Sequence, residues 1–131
     1  MTHAPSDDAP DATADAWAAW LVRQAEHNRL TLEWQDIETQ LCDTHDWLNL
    51  SDDQRKRLPE HRTLEKLDAR IRVLYRQNQK ALRPLCRLVA ATPRAISRKL
   101  EIALVVVRHD EDDAHRLVKS ILRDFRALYA Q

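Results

Sequence analysis

From Asp15 to about Asp46, the positions His27, Leu30, Trp34, Ile37 and Leu41 recur at alternating steps of three and four, preceded by Trp17, Trp20 and Leu21. That period marks one face of an α-helix and predicts a single long amphipathic helix. The pattern stops around Asn49. Ser51 followed by Gln54 predicts a capping box for a short helical turn that ends before Pro59, and Pro59 with Glu60 opens a second long helix. In that helix Leu64, Leu67, Ile71, Leu74, Asn78, Ala81, Leu85 and Leu88 hold heptad a and d spacing for four repeats. Tyr75, Leu82 and Val89 fall at e and widen the stripe, which predicts packing against more than one neighbour. Asn78 is the one polar residue of the seam. It is read as a partly exposed, solvated amide, with a register-fixing role as the alternative. Pro84 removes one hydrogen bond from the helix interior, so a kink is expected there.

Thr92 and Pro93 predict an N-cap and first-turn pair, after which Ile96, Leu100, Ala103, Leu104 and Val107 continue a helical face. Val105 to Val107 is β-branched, but no second strand-like run exists to pair with it, so this stretch is read as buried helix. The acidic run Asp110 to Asp113 suits a helix start, and Leu117, Val118, Ile121, Leu122, Phe125, Leu128 and Tyr129 form the final amphipathic face. The predicted fold is all-α: a helical bundle built on a long antiparallel hairpin of two helices, with two shorter C-terminal helices. Residues 1–14, with Pro5, Pro10 and three aspartates, are expected to be a disordered acidic tail, and residues 15–131 a single helical domain.

Charge changes this picture more than any motif does. The 131 residues carry 21 basic and 21 acidic side chains, yet residues 1–54 hold two basic and twelve acidic ones while residues 55–108 hold fifteen basic and four acidic. A neutral total hides a bipolar chain. Arg62, Lys66, Arg72, Arg76, Lys80, Arg83 and Arg87 occupy positions opposite the apolar seam and are expected to face outward; Arg94, Arg98 and Lys99 continue the basic character into the next helix. Glu26, Glu33, Asp36 and Glu38 of the first helix are the expected neutralising partners, each pair contributing little. The alternative is an anionic macromolecule.

Composition removes whole classes of chemistry. There is no glycine, where ordinary usage would give about nine. Dinucleotide fingerprints, phosphate loops, nucleophile elbows and calcium loops all need glycine where φ is positive or a ligand approaches the backbone, so their standard forms are excluded. His109, Glu111, Asp112 and His115 cluster, but the chain has no Glu-x-x-His pair of the di-iron type, and a solvated helix start is expected. Cys42 and His45 stand three apart without further ligands or an oxyanion loop, so a structural role is expected there too. Cys42 and Cys86 are expected to be free thiols, and His27 a half-buried, hydrogen-bonded side chain. The longest apolar runs, Ala16 to Val22 and Ile102 to Val107, are too short to span a bilayer. No catalytic residue, metal site, cofactor or small-molecule substrate is expected, nor a membrane partner, and the expected compartment is the cytoplasm.

From Leu85 to Leu128 the order is Leu88-Val89-Ala90-Ala91-Thr92-Pro93, the helix from Ile96 to Leu104 with its Lys99-Leu100 pair, an acidic break, and a closing Leu/Ile-rich helix. This segment resembles a group of small helical proteins of alphaproteobacteria that share the Ala-Thr-Pro turn and acidic linker. The resemblance implies a bacterial helical protein and implies no activity.

The function expected from the residues is therefore non-enzymatic: a small interaction or regulatory protein that presents helix faces to a macromolecular partner or to a second copy of itself. Trp17, Trp20 and Leu21, clustered near the start of the first helix, are the expected partner-binding anchors, because large aromatics dominate interface energetics. The alternative is a nucleic-acid-binding protein using the basic face of residues 62–99.

Overall fold

A computed structural model describes residues 12–107 and 112–129, and all described segments are helix or connecting turn. In chain order these are α1 (Ala12–His45), a 3-10 turn (Trp47–Asn49), α2 (Asp52–Lys56), α3 (Pro59–Arg87), α4 (Pro93–Val106) and α5 (Asp112–Tyr129). Among the described residues there is no strand, so Val105 and Val106 end a helix, though they are exposed rather than buried as expected, and no helix is long and apolar enough to cross a membrane. The packing gathers into two compact units, residues 22–81 and the remainder. The tail expected over residues 1–14 lies mostly outside the described residues.

In the unit of residues 22–81, α1 and α3 pack as an antiparallel pair. Arg23 meets Asn78, Glu26 meets Arg70, and Leu41 clusters with Leu64, so positions advance on one helix as they retreat on the other. The far end closes on Leu41, Trp47 and Leu64, with Trp34, Ile37, Cys42, Leu50 and Leu58 packed around them. With no glycine available, the chain leaves α1 through Asp46, whose left-handed backbone (φ 53°, ψ 48°) is tolerated by Asp, and Asn49 donates to its carboxylate at 2.9 Å. Ser51 and Gln54 form the capping box of α2. Arg55 then fastens this corner, donating from Nε and Nη2 to the Trp47 carbonyl at 3.1 and 2.9 Å while its guanidinium lies 4.5 Å from the indole centroid.

The seam of α3 follows the predicted heptad through Leu64, Leu74 and Asn78, with Leu67, Ile71 and Ala81 half-buried. Asn78 corrects the solvated reading: it is 5% exposed, and its Oδ1 accepts a 2.7 Å hydrogen bond from Nε of Arg23. The widened stripe is corrected as well. Tyr75 is 57% exposed, because within this unit α3 has one long neighbour, α1, and no helix covers the e flank; the phenol ring rests 6.4 Å from the ring of His27.

In the other unit Trp17, Trp20, Leu85, Ala95, Ile102 and Leu122 are buried, drawing together the first turns of α1, the last turns of α3, and the mutually packed α4 and α5. Helix α3 continues through Pro84 and ends at Arg87, so Leu88, expected on the seam, and Val89, expected on its e flank, lie past its last turn; Val89 is 78% exposed. The Thr92–Pro93 start forms as the sequence implies, with Thr92 Oγ1 accepting from the Ala95 N–H at 3.1 Å. Glu101 joins α4 to α5, accepting from Arg98 at 3.2 Å and from Arg126.

Leu74 is fully buried at the centre of the α1–α3 seam, so Leu74→Ala is expected to lower stability by about 2–5 kcal/mol in urea denaturation. Tyr75→Ala, one residue on, is expected to cost under about 1 kcal/mol in the same assay. Removing the α4 cap with Thr92→Ala should cost about 1 kcal/mol.

Candidate functional site

The outward side of α3 is the surface on which chemistry-bearing residues concentrate. At 100° per residue, positions 62, 66, 72, 76 and 80 fall within an arc of about 120°, opposite the arc that carries Leu64, Leu74 and Asn78. The amphipathic pattern thus dictates the charge pattern: once the leucines face α1, the arginines have only solvent to face. Arg62, Lys66, Arg72, Arg76 and Lys80 are all exposed.

The expected neutralisation by α1 does not occur at these residues. Glu26 takes Arg70, which lies off the arc, with Nε 3.2 Å from Oε1, and Glu33 takes Arg29 of its own helix at 3.9 Å. Arg72 pairs with Asp68 one turn back at 3.1 Å, both ends well exposed to water. Among the described residues, Arg62, Lys66, Arg76 and Lys80 form no ion pair. In the other unit Arg83, Arg87 and Arg94 are likewise exposed, whereas Arg98 and Lys99 leave the predicted basic face. Arg98 is bound to Glu101, and Lys99 is drawn inward, its Nζ lying 5.8 Å from the Trp17 ring centroid and 3.4 Å from the Leu88 carbonyl.

The predicted aromatic anchors are corrected by burial. Trp17 is 1% and Trp20 4% exposed, so neither indole offers surface to a partner, and Leu21 is half-buried beside them. The physical reason is that the short helices α4 and α5 share a unit with the first turns of α1, covering the face that a bare two-helix hairpin would leave open. Cation–π contact with Lys99 and apolar packing now account for Trp17.

The other candidates separate cleanly. His109 and Glu111 lie outside the described residues, as does the side chain of Asp112, and among the described residues no three His, Cys, Asp or Glu side chains gather to hold a metal. Cys42 and Cys86 are free; Cys42 packs against the Leu41–Trp47–Leu64 cluster, and His45 is hydrogen-bonded by Thr44 at 2.7 Å. His27 is half-buried, with Nδ1 3.3 Å from Asn28 Oδ1.

One titratable pair was not singled out from the sequence: His61 Nε2 stands 2.8 Å from Glu65 Oε1 beside an open cleft of about 650 Å³. The i, i+4 spacing of the two residues at the start of α3 was the available signal. Lys56, Leu58, Pro59 and Arg62 complete the lining, which contains no hydroxyl or thiol nucleophile. A second open cleft, of about 600 Å³, is mainly apolar, with Leu88, Ile96, Leu100 and Ala103 among its lining residues.

Comparison with protein-family models, curated proteins and solved structures finds no match to this chain.

Trp17→Ala is expected to cost about 3–5 kcal/mol of stability in chemical denaturation, as truncation of a core aromatic does. A loss below about 1 kcal/mol accompanied by weaker self-association would return Trp17 to an interface role.

Proposed function

We propose that this chain is a non-enzymatic helical interaction protein whose recognition surface is the outward basic face of α3. One observation carries the reading: Arg62, Lys66, Arg76 and Lys80 stand exposed, on one side of a single helix, without carboxylate partners among the described residues. Cations left unpaired on one face produce a local positive potential that steers an anionic macromolecule toward it and orients the encounter. Rigid placement supports this role, since the opposite side of α3 is fixed against α1 by Leu64, Leu74 and the Arg23–Asn78 hydrogen bond. The partner in this reading is another macromolecule. Self-association through Trp17 and Trp20 has lost its support, because both indoles are interior.

The test is affinity capture from the native host with the whole chain, comparing the natural protein with the Arg72→Gln, Arg76→Gln, Lys80→Gln variant at low and high salt. The expected result is an acidic macromolecule captured at low salt, released as salt rises, and lost with the triple variant. Capture indifferent to both salt and the substitutions would reject the basic face as the recognition surface.

A further inference from the structure

The chemistry of the stripe narrows the anionic partner to one class. We propose that α3 binds double-stranded nucleic acid through its phosphate backbone, without reading base sequence; this rests on the basic-face reading above. Arg72, Arg76 and Lys80 follow one another at steps of four residues, about 6 Å of helix rise each, and Arg62 to Lys80 covers about 27 Å. A duplex presents one phosphate per about 3.4 Å along each strand, close enough to serve each of five cations spread over this arc, where Glu65, paired with His61, is the one carboxylate.

The make-up of the arc separates this partner from an acidic protein. Stable protein interfaces are anchored by aromatic or large apolar groups in a desolvated centre, whereas interfaces with nucleic acid are more polar and far more positive. Among the exposed residues of the arc only Ala69 and Val73 are apolar, and neither is an aromatic anchor. Three of the five cations are arginines, whose planar forks match phosphate oxygens two at a time.

The same arc argues against a single strand, which is held by stacking bases on aromatic side chains interleaved with the basic ones. Tyr75, the sole aromatic of α3, is turned off the arc and lies beside the His27 ring. Backbone contact to a duplex needs no such platform. Nor does the arc carry an Asn or Gln to join its arginines in base readout; beside the five cations it holds Glu65, Ala69 and Val73.

Binding of the full chain to two unrelated DNA duplexes of about 30 base pairs, and to poly-glutamate, is followed by fluorescence anisotropy across a salt series. The natural protein is expected to bind both duplexes with affinities within about threefold of each other, and log K should fall linearly with log salt at a slope of about −3 to −5. Arg72→Glu, Arg76→Glu and Lys80→Glu together should weaken duplex binding by at least about tenfold at low salt and flatten the slope by about three. The matching reversal of Arg116, Lys119 and Arg123, which are exposed on α5, imposes the same net charge and should change affinity by less than about twofold.

Several results would overturn the proposal. A tenfold or greater preference for one duplex, on the order of 1.4 kcal/mol, removes the sequence-independent mode. Equal weakening by the α5 reversal reduces the effect to net charge. Poly-glutamate bound and duplex ignored, with the loss on reversing α3, keeps the basic-face reading and defeats the nucleic-acid one; neither ligand bound at low salt defeats both. Circular dichroism reports whether each variant folds. If the α3 reversal does not, the natural protein still decides the matter, since a slope shallower than about −2 is incompatible with a line of phosphate contacts.

Discussion

The seam between α1 and α3 sets the terms for everything outside it. Leu64 and Leu74 lose nearly all contact with water on one side of α3, and each such burial stabilises by roughly 1.5–3 kcal/mol. Apolar contact alone is permissive about register, because leucines a heptad apart are interchangeable. Asn78 is not. Its Oδ1 accepts from Nε of Arg23, so sliding α3 by one heptad would bring Ile71 or Leu85 to that point and leave a buried amide among apolar side chains. Stranding such a group costs about 1–3 kcal/mol, enough to select one alignment. The alignment then fixes which turn of the basic arc stands beside which turn of α1, and thereby that Glu26 reaches Arg70 while, among the described residues, no carboxylate of α1 reaches the arc.

What the sequence discloses follows from how local the responsible physics is. The Ser51–Gln54 capping box, the Thr92–Pro93 start and the opening of α3 at Pro59 are decided within four residues of chain, and each forms where the pattern places it. The heptad of α3 also survives, because one dominant neighbour rewards a strict stripe. Tyr75, Leu88 and Val89 do not follow the stripe, and the reason is tertiary in each case. A residue at e is buried only if another helix occupies that flank, and a heptad position counts only while the helix lasts, which here ends at Arg87. Trp17 and Trp20 show the reverse. Their spacing tells that they share a face but not whether α4 and α5 return to cover it.

The outward orientation of the arginines was legible from the heptad, since the arc opposite a leucine seam has no other direction. That Arg62 and Arg76 have no carboxylate partner among the described residues was not. Opposite charge totals in the first and second parts of the chain suggest mutual neutralisation, but an ion pair depends on reach and register at individual residues. Glu33 finds Arg29 on its own helix and Arg72 finds Asp68, because neighbours at i, i+4 are always within reach, whereas a pair across two helices forms only where the seam's alignment brings both heads to the same edge.

The stripe carries a cost that the fold does not require. Arg72, Arg76 and Lys80 are like charges at successive i, i+4 steps, an arrangement that destabilises an isolated helix by roughly 0.2–0.5 kcal/mol per pair. A glutamate at position 76 would turn both repulsions into attractions without touching the core, since that position is exposed. Neither solubility nor burial calls for three cations in line: mixed charge gives solubility equally well, and the buried seam lies on the other side of the helix. Arg72 meets part of that cost through Asp68, 3.1 Å away on the preceding turn, whereas Arg76 and Lys80 have no carboxylate partner among the described residues and carry the repulsion uncompensated.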